Sequence, residues 1–216
     1  MDIDRATDAL VIVDLQLDFL PGGALAVTGG DEIIGPISHL ARAFGTVVAT
    51  QDFHPRGHVS FASAHGRAPF DLLSDPRALP GGEAVLWPDH CVAGSAGARL
   101  AEGLPDEAIS VILRKGTRRE VDSYSAFREE LGPDGQRAST GLGALLRTRG
   151  IERLFVCGLA RDFCVRATAL DAVAEGFATF LLDDLTRSVA PERAVEVTRA
   201  LSDGRVRIIA SKSVRS

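Results

Sequence analysis

LFVCGLARDFCVRAT, residues 154–168, is the segment from which the architecture of this chain is predicted. Leu154 to Val156 form an apolar run typical of a buried strand, and beyond Gly158 apolar residues recur at helical spacing. The segment predicts a strand, a tight turn and a helix with Cys164 at its start. Unpaired backbone amides in the first helical turn, with the helix dipole, can lower a cysteine pKa and hold an oxyanion. A cysteine that only fills space is the alternative.

Strand and helix patterns alternate along most of the chain. Apolar runs predict further strands at 9–13, 46–50, 108–113, 178–182 and 206–209. Helical spacing predicts helices at 33–44, at 142–146 behind the N-cap Thr140, from Cys164 to Gly176, and at 191–201. The alternation indicates an α/β fold, a doubly wound, six-stranded, mainly parallel sheet with helices on both faces in a Rossmann-like three-layer arrangement. Residues 1–216 are expected to form a single domain.

Composition argues against several classes of partner. The net charge is -5 and no long run of Lys or Arg occurs, so nucleic acid is not an expected partner. No segment approaches the roughly 20 apolar residues of a membrane span, and the N-terminus lacks the pattern of a signal peptide. Three cysteines, an odd number, argue against a disulfide framework. We therefore expect a reduced, cytoplasmic protein, with formation of a homo-oligomer left open.

Reactive side chains follow four of the predicted strands. Ligands of doubly wound sheets bind beyond the carboxyl ends of the strands, so these side chains are expected to converge. A carboxylate can accept a thiol proton and an ammonium group stabilises the anions, which makes Asp14, Lys115 and Cys164 a candidate nucleophile site. Taken alone, Asp14 would be a turn cap and Lys115 a solvent-exposed lysine. Their joint placement favours catalysis, because charges without partners are costly at such a rim.

A second cluster has the composition of a metal site. Asp52 and His54 are two residues apart on an extended segment and project to the same side, and His90 supplies a third ligand. Four of the five histidines lie between positions 52 and 90, in a long loop that is itself typical of a functional region. Nitrogen and oxygen donors suit zinc, iron or manganese. Hydrogen-bonding loop residues are the alternative, for His58 in particular, and Cys91 is expected to pack in the core.

Aromatic residues form a third set. The chain has one Trp and one Tyr, and both fall in loops beside the predicted site. Flat apolar side chains suit a planar aromatic ligand. Hydrophobic plugs beneath the long loop are an equally good interpretation of these residues: Phe19, Trp87, Tyr124 and Phe127.

The residues of all three sets occur in motifs that resemble the nicotinamidases, within the isochorismatase-like cysteine hydrolases. The matching segments follow one another through most of the chain: 12-IVDLQ-16, 18-DF-19, 21-PGGAL-25, 50-TQDFHP-55, 58-HVSF-61, 87-WPDHCV-92, 115-KG-116, 122-DSYSAF-127, 158-GLA-160 and 162-DFCV-165. Their combination is highly specific. The metal motif matters most, because a resemblance to isochorismatases or carbamoyl hydrolases alone would not imply Asp52, His54 and His90.

The resemblance implies an enzyme that hydrolyses nicotinamide to nicotinate and ammonia, as in NAD salvage, through a thioester on Cys164. Asp14 would act as general base and then as general acid, with Lys115 as its electrostatic partner. The family's cis peptide bond would fall between Leu159 and Ala160, and the Ala160 and Cys164 amides would hold the oxyanion.

The resemblance also implies one divalent metal ion, with zinc as the first choice and iron or manganese as alternatives. Asp52, His54 and His90 would bind it, and Ser60 would reach it through water. His58 is a direct ligand in some relatives, so its role is left open. Phe19 and Trp87 would sandwich the pyridine ring, and Tyr124 would lie beside it.

Two departures from the family pattern concern loops around the site. Arg161 stands where many relatives carry a small hydroxyl residue, which predicts a new ion pair in the turn before Cys164. The charged segment Thr117 to Val121 alters the spacing from Lys115 to Tyr124. Three other functions stay open: a superfamily hydrolase of another amide or carbamoyl compound, hydrolysis by metal-bound water without a covalent step, and a non-catalytic protein that binds a metal and a pyridine.

Overall fold

The computed structural model describes residues 1–75 and 82–215, so positions 76–81 of the predicted long loop lie outside the described residues. In these residues the strands are β1 (Asp8–Val13), β2 (Thr46–Asp52), β3 (Leu72–Ser74), β4 (Glu83–Val85), β5 (Val111–Lys115), β6 (Arg128–Leu131), β7 (Arg137–Ser139), β8 (Arg153–Leu159), β9 (Ala178–Arg187) and β10 (Arg207–Ile209). The α-helices are α1 (Ile34–Ala41), α2 (Leu142–Thr148), α3 (Arg166–Ala174) and α4 (Ala194–Asp203). No helix in this part of the chain is long and apolar enough to cross a membrane.

Six of these strands form the central sheet, in the order β10-β9-β8-β1-β2-β5. Every neighbouring pair is parallel. From β1 the chain adds β2 and β5 on one side, and it later adds β8, β9 and β10 on the other. The carboxyl ends of β1 and β8 therefore lie where the strand order reverses, the place where open α/β sheets bind ligands. The predicted doubly wound, six-stranded sheet is confirmed.

Two hydrophobic clusters cover the two faces of the sheet. Strand β1 is fully buried, and because side chains alternate along a strand it contributes to both clusters. Leu10 and Ile12 pack in the cluster that contains Ile37 and Ala41 of α1. The opposite cluster contains the apolar residues of α2, α3 and α4. Helices on both faces, as predicted, leave the sheet edge at the strand ends free for loops.

Glycine is required where β1 and β8 meet at the reversal point. Gly158 pairs with Val13 in the sheet register and has a φ of 108°. A Cβ at this position would lie 2.2 Å from the Val13 carbonyl oxygen. Any larger residue would push the two strand ends apart, so Gly158 sets the close approach of the loops that follow β1 and β8.

Several predicted boundaries are wrong by a few residues. The strand expected at 108–113 begins only at Val111 and runs to Lys115, because the Pro105 carbonyl accepts hydrogen bonds from the Ala108 and Ile109 amides in a preceding turn. The first helix is shorter than the expected 33–44 and follows a 3₁₀ turn, Asp31–Ile33. The last helix likewise follows a 3₁₀ turn, Pro191–Arg193.

Two short antiparallel hairpins were not predicted. One pairs β3 with β4 inside the long loop, and the other pairs β6 with β7 around residues 132–136. Their strands are only three or four residues long and mostly exposed or half-buried, so they are too short to show the apolar alternation that predicts a strand. The expected N-cap Thr140 lies one residue further out, because Gly141 occupies the cap position, yet the Thr140 hydroxyl still accepts a 3.3 Å hydrogen bond from the Leu142 amide.

Candidate active site

The carboxyl edge of the sheet brings the predicted nucleophile site together. Asp14 follows β1, Lys115 ends β5, and Cys164 lies in a π-helical turn, Arg161–Val165, that leads from β8 into α3. Asp14 has a φ of 45°, a left-handed conformation that Asp tolerates better than most residues. Thr50 of β2 stabilises it, since its hydroxyl accepts a 3.0 Å hydrogen bond from the Asp14 amide and donates a 2.6 Å bond to Asp14 Oδ1.

Lys115 is the centre of this arrangement. Its Nζ lies 2.9 Å from Asp14 Oδ2, 2.6 Å from Asp52 Oδ1 and 3.4 Å from Cys164 Sγ. It also donates a 3.1 Å hydrogen bond to the Ser123 carbonyl. All of these side chains are buried, so the charges interact in a medium of low dielectric and are weakly screened. One ammonium group therefore holds two carboxylates and a thiol within reach of one another.

The environment sets different pKa directions for the three groups. Burial and repulsion from Asp52 raise the pKa of Asp14 to about 6, against the opposing effects of Lys115 and Thr50. Burial raises the pKa of the Cys164 thiol well above its usual value, and Lys115 opposes this rise. Burial would lower the pKa of Lys115, but its neighbouring carboxylates raise it. At neutral pH the site thus holds an ionised Asp14, a neutral thiol and a charged lysine, the starting state for proton transfer from thiol to carboxylate.

The turn that carries Cys164 is held by its own backbone and by the side chain of Asp162. The Ala160 carbonyl accepts 3.1 Å hydrogen bonds from the Phe163 and Val165 amides, and the Leu159 to Ala160 peptide bond is cis, as expected. Fully buried Asp162 accepts hydrogen bonds from the amides of residues 189 and 190, at 3.1 and 2.7 Å. The turn is therefore attached to the loop that follows β9.

Arg161 makes the ion pair that its departure from the family pattern predicts. Its guanidinium donates 2.6 and 3.1 Å hydrogen bonds to Asp183 Oδ1 of β9, and it reaches Thr198 Oγ1 of α4 at 3.2 Å. The arginine is buried, whereas the Asp183 side chain is about half exposed. This contact links the Cys164 turn to the sheet and to α4.

The three predicted metal ligands converge beside Lys115. Ligand atoms of Asp52, His54 and His90 all lie within 4.8 Å of one another. Asp52 Oδ2 and His54 Nε2 are 3.6 Å apart, too long for a good hydrogen bond but close to the ~3.4 Å that separates two ligands of one tetrahedral ion at 2.0–2.1 Å. Two nitrogens and one carboxylate oxygen form a donor set suited to a divalent cation, and three protein ligands leave a position open.

Backbone carbonyls orient both histidines toward the space between the ligands. His54 Nδ1 lies 3.0 Å from the Gly116 carbonyl, and His90 Nδ1 lies 2.8 Å from the Pro88 carbonyl. A hydrogen bond donated by each Nδ1 leaves each Nε2 as the electron-pair donor, the usual arrangement for metal-binding histidines. A Cβ at Gly116 would lie 2.3 Å from the His54 ring, so this glycine is needed for the approach. The residues present fit a metal ion.

His58 has a different position from the other two histidines. Its Nδ1 is 2.8 Å from the Ser60 hydroxyl, and its Nε2 is 3.1 Å from the Val121 carbonyl. Both nitrogens therefore have partners, and the cluster of ligand atoms does not include His58. In this arrangement His58 orients Ser60. Cys91 is fully buried and packs in the core, as expected.

Gln16 supports the end of β2 that carries Asp52, a role that the sequence did not indicate. Its fully buried amide group donates a 2.8 Å hydrogen bond to the Asp52 carbonyl and accepts a 2.7 Å bond from the Asp52 amide. The same nitrogen donates a 2.9 Å bond to the Ala98 carbonyl. Gln16 thus links the backbone of Asp52 to the loop that contains Ala98.

A small cavity connects Cys164 with the candidate metal ligands. Its volume is about 30 Å³, and Phe19, Trp87 and Tyr124 line it as predicted, together with Ala160 and Cys164. The Trp87 indole donates a 3.2 Å hydrogen bond to the Tyr124 hydroxyl. Phe127, in contrast, does not line this cavity, and it packs in the core cluster with residues of α2 and α3 rather than beneath the long loop.

Comparisons with known proteins agree with this geometry. The sequence model of the isochorismatase domain family matches residues 8–213. The chain belongs to the isochorismatase family. Its relatives include the nicotinamidase of Acinetobacter baylyi, 45% identical over 182 residues that make up 84% of this chain and 81% of that protein.

Solved structures of isochorismatase-family enzymes have the same fold. The Acinetobacter baumanii nicotinamidase/pyrazinamidase superposes with a TM-score of 0.89 at 40% identity, covering 96% of this chain and 98% of that one. The PnC1 protein of L. infantum, solved in complex with nicotinate, has a TM-score of 0.85 at 41% identity and covers 100% of this chain and 98% of its own.

Three apolar residues of the cavity wall in this family member were given no role by the sequence analysis: Leu25, Phe163 and Val189. Leu25 and Phe163 do occur within the family motifs, so proximity to Phe19 and Cys164 is a signal that could have found them. Val189 follows the unusually long strand β9 and has no such signal. Its amide donates a 3.1 Å hydrogen bond to Asp162, which attaches it to the Cys164 turn.

Proposed function

We propose that this chain is a metal-dependent amidohydrolase that converts nicotinamide and water to nicotinate and ammonia through a Cys164 thioester. The observation that carries the proposal is the contact of Lys115 Nζ with both Asp14 and the Cys164 thiol, at 2.9 and 3.4 Å. Relatives named nicotinamidase over most of the chain support the choice of substrate, as does the complex of a structural relative with nicotinate.

In the acylation half-reaction, Asp14 accepts the proton of the Cys164 thiol. The sulfur attacks the carboxamide carbon, and the carbonyl oxygen becomes an oxyanion held by the Ala160 and Cys164 amides. Each such donor contributes about 3 kcal/mol to transition-state stabilisation. Asp14 then gives its proton to the leaving nitrogen, the carbon–nitrogen bond breaks, and ammonia departs. Lys115 stabilises the thiolate while it forms, because its charge lies next to the sulfur.

In the second half-reaction, water hydrolyses the thioester. Asp14, again ionised, accepts a proton from the water while the oxygen of the water attacks the acyl carbon. The carbon–sulfur bond breaks, nicotinate is released, and Asp14 returns a proton to the sulfur. One proton of the water thus restores the Cys164 thiol by way of Asp14, and the other leaves the new carboxylic acid and is taken up by the released ammonia. Cys164 and Asp14 return to their starting states.

We propose zinc as the metal, held by Asp52, His54 and His90, with Ser60 nearby and oriented by His58. The Pyrococcus horikoshii pyrazinamidase, solved in complex with zinc, has a TM-score of 0.75 and 34% identity to this chain, which supports the choice. A bound zinc ion would supply Lewis acidity for a pyridine nitrogen or a water molecule. Phe19, Trp87 and Tyr124 would hold the ring between the metal-binding residues and Cys164.

The experiment measures ammonia release from nicotinamide and, in parallel, from a ureido compound of similar size. We expect turnover of nicotinamide, loss of turnover after treatment with a chelator, and recovery on addition of Zn²⁺. Turnover of the ureido compound with nicotinamide left intact would replace the proposal with a carbamoyl hydrolase. Binding of metal and nicotinamide without any ammonia release would replace it with a non-catalytic binding protein.

A further inference from the structure

A second cavity lies directly outside the catalytic pocket. Its volume is about 490 Å³, and it lies between the β3–β4 hairpin, the β6–β7 hairpin, α3 and α4. Exposed Glu83 and Glu196 are among its lining residues, so it reaches the protein surface. The mechanism proposed above assigns it no role.

The two cavities are separated by a thin wall. Four residues line both of them, Ser60, Asp122, Tyr124 and Phe163, so single side chains form the partition. Ser60 is bonded to His58, and Tyr124 is bonded to Trp87. The Phe163 side chain forms no hydrogen bond. It makes an edge contact with Trp87 at a centroid distance of 4.8 Å and a tilted contact with Tyr124 at 5.9 Å, and it packs against the adjoining hydrophobic cluster. Shortening Phe163 would therefore open the wall without breaking the side-chain hydrogen bonds of Ser60 and Tyr124.

The volumes of the cavities give this wall a functional meaning. The inner cavity of about 30 Å³ holds roughly two waters, whereas pockets that accept drug-sized ligands measure roughly 300–1,000 Å³. A pyridine ring can enter the inner cavity only if the walls yield, and a ring with a substituent needs space that only the outer cavity offers. Phe163 precedes the nucleophile and stands in the path of such a substituent.

The charge of the outer cavity indicates which substituents it would accept. Seven carboxylate side chains and three arginines line it. Arg137 is bound by both oxygens of Asp171, at 3.1 and 3.0 Å, and Arg193 by both oxygens of Glu196, at 3.2 and 2.8 Å. Both arginines are thus paired with carboxylates of the same lining, so they offer little unneutralised positive charge to an anionic substituent. A positively charged substituent is favoured there over a negatively charged one.

We infer that Phe163 is a specificity-determining residue that restricts this enzyme to unsubstituted pyridine carboxamides, and that the outer cavity receives the substituent of larger, cationic carboxamides once the side chain is shortened. The inference rests on the proposed nicotinamide hydrolysis for its substrate series, and it concerns a wall residue that takes no part in the bond-making steps.

The test compares Phe163→Ala with Leu25→Ala, a matched control that enlarges the inner cavity without opening it to the outer one, because Leu25 lines only the inner cavity. The measured quantity is the ratio of kcat/KM for an aminoethylamino-substituted nicotinamide to that for nicotinamide. We expect this ratio to rise at least about tenfold in Phe163→Ala, in the range by which pocket size discriminates substrates, and to change little in Leu25→Ala. For a carboxyethyl-substituted nicotinamide, the same kcat/KM ratio should rise less in Phe163→Ala than it does for the cationic compound.

A second readout is independent of turnover. Trp87 is the single tryptophan of the chain and packs against Phe163, so acrylamide quenching of its fluorescence reports access to the inner cavity. We expect stronger quenching in Phe163→Ala than in the wild type or Leu25→Ala. Stronger quenching in Phe163→Ala, in a protein that does not hydrolyse nicotinamide, would support the role of Phe163 as the wall between the cavities. It would at the same time reject the proposed function. Equal quenching, or an equal rise of the kcat/KM ratio in the two variants, would overturn the inference. If Phe163→Ala does not fold, as judged by circular dichroism, Phe163→Leu is measured against the same criteria.

Discussion

Asp14 connects the geometry of the site with a pH dependence. With a pKa of about 6, raised by burial and by Asp52, it is ionised at neutral pH and becomes protonated as the pH falls through that value. Because only the ionised form accepts the thiol proton, kcat/KM should fall about tenfold per pH unit below about pH 6 and be level above it until another group titrates.

Thr50 provides the control for this prediction. Its hydrogen bond lowers the pKa of Asp14, so Thr50→Val should move the midpoint of the acid limb upward. The measurement is a pH profile of kcat/KM for nicotinamide in both proteins. A flat profile below pH 6, or a midpoint that Thr50→Val does not move, would contradict the role of Asp14 as base.

Gln16 is expected to act on metal binding through Asp52. Gln16→Leu leaves the Asp52 amide and carbonyl without their side-chain partner, and loss of such supporting contacts typically costs roughly 10- to 100-fold in metal affinity. Gln51→Leu is the matched control, because Gln51 also bonds to the Ala98 carbonyl, at 2.6 Å, without bonding to Asp52. Competition with a fluorescent zinc chelator measures both affinities. Equal affinity of the two variants would show that Gln16 has no special role.

Glu130 should make the protein less stable at alkaline pH. Burial raises its pKa to about 7, and one carboxylate oxygen is buried without a hydrogen-bond partner among the described residues. The folded state therefore retains the proton longer than the unfolded state, so stability is fully present below about pH 4.5 and is lost as the pH rises to about 7. Glu130→Gln removes this loss.

We expect Glu130→Gln to be more stable than the wild type by about 1–3 kcal/mol at pH 8 and about equally stable at pH 5. Urea unfolding at the two pH values measures the difference. A variant that is less stable than the wild type at pH 8 would indicate instead that the charged carboxylate, 3.8 Å from Arg137, is stabilising.

At the level of secondary-structure elements, an ion pair connects the Cys164 turn with β9 and α4. Arg161 is buried against Asp183 and Thr198, so a double-mutant cycle of Arg161→Met and Asp183→Asn should give a coupling free energy of about 1–3 kcal/mol in urea unfolding. The exposed pair Arg199–Asp203 within α4 is the control, with an expected coupling of about 0.3–0.5 kcal/mol. Equal coupling in the two pairs would remove any structural role for Arg161.

Elements with an apolar core-facing pattern were predictable from the sequence, and elements without one were not. β1, β2 and β8 are buried along almost their whole length and were located to within a few residues, whereas β9 was predicted only over its apolar first half because exposed Asp183 and Asp184 interrupt the run. The hairpin strands β3 and β7 are short and half exposed, and their pairing depends on turns rather than on burial. The nucleophile's π-helical turn was also missed in detail, because the helical spacing that predicts α3 does not distinguish a π turn from the first α turn.

Across the whole molecule, the strand order converts separate sequence motifs into one site. Asp14, Lys115 and Cys164 lie far apart in sequence, and they meet because β1 lies between β2 and β8 while β5 joins the β2 side. This convergence followed from the α/β pattern and the family motifs. Partners that depend on side-chain reach across strands did not: Thr50 to Asp14, Gln16 to Asp52, and the wall contributed by Phe163.

The central claim is that Cys164 carries the acyl group, and one assay tests it most directly. Ammonia release from nicotinamide is measured for the wild type and for Cys164→Ala at equal, independently determined metal content. The metal-binding residues and Lys115 stay in place in the variant, so the account predicts that it retains its metal and loses at least about 10³-fold in kcat. Equal turnover by Cys164→Ala would contradict the account and leave hydrolysis by metal-bound water in its place.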